Sequence, residues 1–90
     1  PFYAAPEVVR EGIFSRAADA YAYGILMYEL YCAKPIWVPD ASVPGGYVQQ
    51  PDFPNLPAHA PSEYVALMND CLQAAHLQRP TFDVVISRLR

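Results

Sequence analysis

Apolar positions recur along the chain at helical spacing, and turn-forming residues mark the breaks between them. One buried helical face with i, i+3, i+4 spacing is formed by Tyr64, Leu67, Met68, Cys71 and Leu72. A shorter stripe near the end of the chain consists of Phe82, Val85, Ile86 and Leu89. The predicted helices run from Pro6 to about Arg10, from after Ser15 to about Ala33, from Ser62 to about Ala74, and onward from Thr81. The pattern therefore predicts an all-α fold.

The second predicted helix is apolar on every side. The residues that cannot share one face are Tyr21, Tyr23, Ile25, Leu26, Met27, Leu30 and Tyr31. A helix of this kind is surrounded by protein or spans a membrane. A membrane span needs about 20 mostly apolar residues with almost no charge, whereas this segment contains Asp19 and Glu29. We therefore expect one buried central helix with flanking helices, and no direct membrane contact.

The interval 35–61 has a different character from the rest of the chain. It contains seven prolines and the pair Gly45-Gly46. Proline lacks a backbone N–H group and interrupts both helices and central strands. The interval is therefore predicted to be an extended, turn-rich connection without a long regular element.

Composition and charge narrow the range of partners and cofactors. The 90 residues are 53% hydrophobic and 17% charged, with a net charge of −3, which indicates a domain with a core. Because the chain has no cluster of lysine and arginine, nucleic acid is not an expected partner. Cys32 and Cys71 lack metal-ligand spacing and are predicted to be reduced thiols in a cytoplasmic protein. His59 and His76 have no ligand-spaced companion, so no metal site is expected.

Three short motifs follow one another along the chain. The run YAAPE at 3–7 resembles the Y-x-A-P-E sequence that closes the activation segment of protein kinases. The run DAYAYG at 19–24 resembles the kinase D-x-W-x-F-G pattern, with tyrosine at both aromatic positions. The pair CL at 71–72 and the run RPTF at 79–82 have the spacing of the family's C-W…R-P-[ST]-F. Residues 1–90 thus resemble the helical C-terminal lobe of a protein kinase domain, of the tyrosine-kinase-like Ser/Thr type.

The resemblance implies roles for individual residues. Glu7 and Arg79 would form the buried ion pair that ties the activation segment to the helical lobe. Asp19 would accept hydrogen bonds from the catalytic loop. The loop that receives the substrate next to the phosphorylation site would comprise Pro1, Phe2, Tyr3 and Ala4. Without the resemblance, Glu7 and Arg79 would be interpreted as solvated residues, and Asp19 as a first-turn charge that favours the helix dipole.

The motifs that carry kinase chemistry do not occur in the chain. It contains no G-x-G-x-x-G, H-R-D or D-F-G sequence, and in kinases these bind ATP, supply the catalytic base and bind the metal. No catalytic, cofactor-binding or metal-binding residue is therefore expected here. ATP and Mg²⁺ are implied only for a full-length parent. Since the chain starts at Pro1 without a methionine, we expect a partial kinase domain whose partners are the upstream part of that domain and a protein substrate.

Three functions remain compatible with these residues. The parent could be an active Ser/Thr kinase, a pseudokinase or scaffold that only binds partners, or a truncated remnant. Kinases usually carry another amphipathic helix, often a docking surface, between the two helices that flank the interval 35–61. Pro44 and the two glycines argue against that helix here. Docking of a substrate or partner in this interval is therefore left open.

Overall fold

The computed structural model describes residues 3–90 and has four α-helices. The helices are α1 (Pro6–Glu11), α2 (Arg16–Cys32), α3 (Ser62–Cys71) and α4 (Phe82–Leu89). A short 3₁₀ turn, His76–Gln78, lies between α3 and α4, and two short strands, β1 (Trp37–Pro39) and β2 (Tyr47–Gln49), lie between α2 and α3. The predicted helical fold, with a central helix, flanking helices and a proline-rich connection, is confirmed.

Local signals in the sequence account for where α1 begins and ends. Pro6 occupies the first turn, where its missing N–H group costs no hydrogen bond. Gly12 ends the helix with a φ of 68°, a left-handed conformation in which glycine has no steric penalty. Ser15 and Thr81 stand at the N-cap positions of α2 and α4, as predicted, but neither side chain makes the capping hydrogen bond. Ser15 and Thr81 therefore mark where the two helices begin, but their side chains do not stabilise the helix starts by capping hydrogen bonds.

The core lies where α2 packs against α3. Its buried side chains are Met27, Tyr28, Leu67, Met68, Cys71 and Val85. Gly24 allows the two helices to approach closely, because a Cβ atom there would lie 2.9 Å from Leu72 Cδ2 and 3.0 Å from Cys71 Cβ. Real Cβ contacts this short require the neighbouring atoms to move. A glycine at this position of α2 therefore has a packing role in addition to its place in the D-x-W-x-F-G-like run.

Part of the apolar surface stays open in residues 3–90. The central helix α2 is buried along the side that faces α3, whereas Leu26 and Leu30 are 37% and 69% exposed. In α4 only Val85 is buried, and the predicted stripe residues Ile86 and Leu89 are about half exposed. No helix of the described part of the chain combines the length and apolarity needed to cross a membrane.

The proline-rich interval contains a small antiparallel hairpin that the sequence did not predict. Strand β1 pairs with β2 so that Trp37 lies opposite Gln49 and Pro39 opposite Tyr47. Gly45 and Gly46 adopt φ angles of 86° and 76° in the connecting turn. Because only glycine adopts such angles without strain, the glycine pair permits the chain reversal that brings the strands together.

Candidate functional site

A buried ion pair joins the beginning and the end of the chain. Arg79 Nη1 donates to Glu7 Oε2 at 2.7 Å, and Arg79 Nη2 donates to Glu7 Oε1 at 2.8 Å. The side chains of Arg79 and Glu7 are 0% and 5% exposed. Two parallel N–H···O bonds of this kind fix geometry as well as charge. The structure thus brings together two residues that are 72 positions apart in the sequence.

Backbone carbonyl groups take up the remaining donors of Arg79. Its Nε donates to the carbonyl of Gln73 at 2.8 Å, and Nη1 also donates to the carbonyl of Ala17 at 3.0 Å. Nη2 lies 3.4 Å from the carbonyl of Ala74. The guanidinium carbon stands 5.0 Å from the ring centroid of Tyr21, within the range of a cation–π interaction. One side chain therefore connects α1, α2 and the loop after α3.

The same contacts explain why α3 ends before its predicted boundary. The periodic pattern predicted a helix to about Ala74, but the last helical residue is Cys71. The carbonyls of Gln73 and Ala74 accept hydrogen bonds from Arg79. A side chain a few residues further along the chain thus stabilises a non-helical backbone there, and helical periodicity carries no information about it.

Hydrogen bonds from Arg79 hold the pKa of the Glu7 carboxyl group well below its usual value of 4.5, at about 2. Desolvation acts in the opposite direction, because burial disfavours the ionised form. The hydrogen bond to the Glu7 backbone N–H and the positive charge of Arg79 lower the pKa further. The folded state therefore stabilises the carboxylate form of Glu7.

Acid is expected to remove the contribution of this pair to stability. Because the pKa of Glu7 is about 2 in the folded chain and ordinarily 4.5, its contribution is present above pH 4.5 and is lost as the pH falls towards 2. Urea unfolding of the chain at several pH values, followed by Trp37 fluorescence, measures this loss. The gap in stability between the wild type and Glu7→Gln should narrow across that range. If the stability of the wild type and that of Glu7→Gln changed in parallel with pH, the prediction would be contradicted. The control is Glu63→Gln, a substitution at an exposed position of α3, which should give the same dependence of stability on pH as the wild type.

A second contact fastens the segment that precedes α1. The hydroxyl of Tyr3 donates to Glu29 Oε1, and the other oxygen of Glu29 accepts the backbone N–H of Ile36 at 2.9 Å. The bond to the Glu29 carboxylate raises the pKa of Tyr3 above its usual value. Glu29 of α2 therefore links the YAAPE run to the start of the hairpin.

The remaining predicted site residues lie at the surface or outside the described residues. Asp19 is exposed and borders a cavity of about 590 Å³ together with His76 and Phe82. Ala4 is half-buried beside the beginning of α1. Pro1 and Phe2 fall outside residues 3–90. Among the described residues, no three side chains of histidine, cysteine, aspartate or glutamate are grouped so as to hold a metal ion.

Sequence reasoning missed one polar network in the proline-rich connection. The buried Tyr28 donates its hydroxyl to Asp52 Oδ1 at 2.7 Å, and Lys34 Nζ lies 3.3 Å from Asp52 Oδ2. Burial raises the pKa of Tyr28, and the hydrogen bond from Tyr28 lowers that of Asp52. The sequence gives no sign of this role for Asp52, because its partner lies 24 positions away in α2. No local signal in the sequence could have paired them.

Comparisons with known proteins agree on one family. The profile of the family described as protein tyrosine and serine/threonine kinase matches residues 1–89. A serine/threonine-protein kinase/receptor of Acanthamoeba polyphaga mimivirus is 32% identical over 87 residues, covering 96% of this chain and 5% of that protein. Two Dictyostelium discoideum serine/threonine-protein kinases cover 99% of the chain: drkA at 29% identity and roco9 at 31%.

The chain spans only 14% of the length of drkA and 3% of that of roco9. The family match nevertheless extends over nearly all of its residues. The three motifs and the helical fold lie within the matched region. The chain therefore belongs to the protein tyrosine and serine/threonine kinase family.

Proposed function

We propose that the chain is the C-terminal lobe segment of an ATP-dependent kinase that phosphorylates serine or threonine in proteins. Its role would be to supply the substrate-side end of the activation segment and the helical scaffold that supports it. The observation that carries the proposal is the buried Glu7–Arg79 ion pair, which anchors the YAAPE run to the lobe. An ion pair in this place would hold the substrate-binding backbone in position throughout the reaction.

In this proposal the residues of the chain position the substrate and do not perform the chemistry. Phosphoryl transfer depends on positioning and on charge stabilisation by metal ions and basic groups. ATP and Mg²⁺ would bind to the upstream part of the domain, because the Gly-rich loop, H-R-D and D-F-G motifs that hold them in kinases do not occur in this chain. The link from Tyr3 through Glu29 to Ile36 supports a positioning role for Tyr3 and Ala4. Asp19, exposed at a cavity beside the RPTF run, is suited to receive the catalytic loop.

The proposal also specifies partners and location. The partners would be a protein substrate and the upstream part of the kinase domain, which would cover apolar surface that α2 and α4 leave open. Cys32 and Cys71 are both unpaired, which supports a reducing, cytoplasmic environment.

A hybrid kinase tests this function directly. Residues 1–90 would replace the matching segment of drkA, a relative that they align with over 99% of their length. We expect the hybrid kinase to transfer phosphate from ATP to serine or threonine of a generic protein substrate, and the 90-residue chain alone to transfer none. Incorporation of labelled phosphate, with phosphoamino-acid analysis, measures both.

Two control proteins make the result interpretable. A hybrid with its catalytic aspartate, in the drkA part, changed to asparagine gives the background rate. A folded hybrid that binds ATP but does not exceed this background would refute the proposal and favour a lobe that acts only as a scaffold. Phosphate transfer by the 90-residue chain alone would also refute it.

A further inference from the structure

A cleft of about 280 Å³ lies between the start of the chain and the hairpin. We call it the α1–hairpin cleft, and its principal lining residues are Pro6, Val9, Arg10, Ile25, Trp37 and Gln49. Three separate elements thus form its walls: α1, α2 and the paired strands. Trp37 and Gln49 lie opposite each other in the hairpin, so strand pairing sets the shape of one wall.

The size of the cleft favours a peptide side chain over a small-molecule cofactor. Small-molecule sites usually enclose about 300–1,000 Å³ and bury most of the ligand. The α1–hairpin cleft lies just below that range and is open to solvent along Val9, which is 72% exposed. One or two side chains of an extended segment would fill it.

The charge of the cleft selects the chemistry of its occupant. Arg10 is the only charged residue that lines it, and Arg10 makes no ion pair within residues 3–90. Glu11, the next residue along the chain, does not line the cleft, and the carboxylates of Glu7 and Glu29 are engaged by Arg79 and by Tyr3 and Ile36. An apolar hollow beside one unpaired cation is complementary to an apolar residue next to an acidic one.

The position of the cleft links it to substrate binding. Ala4 also lines it, and Ala4 follows Tyr3 in the segment that we propose to lie at the substrate side. We propose that the α1–hairpin cleft docks an acidic segment of the protein substrate, with an apolar side chain between Val9 and Trp37 and a neighbouring carboxylate on Arg10. The identity of the occupant as a substrate rests on the proposed kinase function, whereas the binding of an acidic peptide does not.

Binding is measured through the only tryptophan of the chain, Trp37, which lines the cleft. The probes are two synthetic peptides that share a central leucine, one flanked by glutamates and the other by lysines. We expect saturable changes in Trp37 fluorescence with the glutamate peptide, and affinity at least about fivefold lower for the lysine peptide, the size of one exposed charge pair. Added salt should weaken the binding of the glutamate peptide.

Charge reversal identifies the residue responsible. Arg10→Glu should reverse the preference between the two peptides. The matched control is Arg16→Glu, a change of the same charge at an exposed residue that does not line the cleft. Equal affinity for both peptides, an unchanged preference in Arg10→Glu, or no saturable binding would each overturn the proposal. The proposal would also be overturned if Trp37 fluorescence changed with the concentration of the chain alone and sedimentation showed dimers. The occupant of the cleft would then be a second copy of the chain.

The hybrid kinase separates this proposal from the kinase function and remains decisive if the chain alone aggregates. Serine peptides with an acidic or a basic downstream flank would be compared by kcat and KM. We expect Arg10→Glu to raise KM for the acidic peptide about fivefold or more, with little change in kcat. An active hybrid without this change in KM would overturn the docking site alone. If the hybrid bound the glutamate peptide but transferred no phosphate, the docking site would stand and only the kinase function would be overturned.

Discussion

Replacement of Arg79 by alanine is expected to lower the free energy of unfolding of the hybrid kinase by about 3–5 kcal/mol, the usual cost of removing one partner of a buried ion pair. The cost arises because Glu7 would keep a buried charge without its partner. The carbonyls of Ala17 and Gln73 would also lose their donor. Since whole domains are stable by only about 5–15 kcal/mol, such a loss would unfold a large share of the protein at moderate urea concentrations.

Arg88 provides a matched control for this substitution. Its Nη1 lies 2.7 Å from Asp70 Oδ2, the same distance as in the Arg79–Glu7 pair, but these two side chains are 34% and 46% exposed. Exposed pairs contribute about 0–1 kcal/mol, so Arg88→Ala should change stability little. Urea unfolding of both variants gives the comparison. If Arg79→Ala cost no more than Arg88→Ala, the buried pair would not anchor the lobe.

The second large effect is expected for Tyr28→Ala in the centre of α2. Tyr28 is fully buried, and its ring packs edge-on against Phe53 with centroids 5.0 Å apart. Removing a buried aromatic ring from a core usually costs about 3–5 kcal/mol, because the surroundings collapse only partly into the cavity. The hydroxyl bond to Asp52 would be lost as well. The proline-rich connection should therefore loosen from α2 along with the general loss of stability.

Two further variants divide this effect into its causes. Tyr28→Phe removes only the hydroxyl bond to the exposed Asp52 and should cost about 0.5–1.5 kcal/mol. Glu63→Ala, at an exposed polar site of α3, should stay within about 0.5 kcal/mol of the wild type. Urea unfolding of the hybrid kinase would measure all three. An equal cost for Tyr28→Phe and Tyr28→Ala would mean that ring packing contributes nothing.

Local chemistry explains which elements were predicted well. The start of α1 at Pro6 and its end at Gly12 follow from backbone properties of single residues, which the sequence states directly. The buried stripe of α3 follows from helical periodicity, and the structure buries Leu67, Met68 and Cys71 as expected. The hairpin was missed because prolines and glycines indicate turns but do not say which segments pair across them.

The candidate site likewise contains both features that the sequence predicted and contacts that only the structure shows. Residue types alone favoured solvated roles for Glu7 and Arg79, and only the resemblance to kinases predicted that they would meet. The structure adds the carbonyl partners of Arg79 and the bridge through Glu29. Two of these bonds, from Arg79 to Ala17 and from Tyr3 to Glu29, join residues 62 and 26 positions apart. The functional roles of Asp19, Tyr3 and Ala4 stay predictions.

Family membership, helix order and the absence of the kinase catalytic motifs were accessible from the amino-acid sequence, because motifs and periodicity are local properties of the chain. The ion pair, the Tyr28–Asp52 contact and the α1–hairpin cleft depended on folding. Each of these features brings together segments that are separated in sequence, and sequence separation does not predict which segments lie close in space. Contacts of this kind arise when the packing of α2 against its neighbours selects one arrangement, so they become visible only in three dimensions.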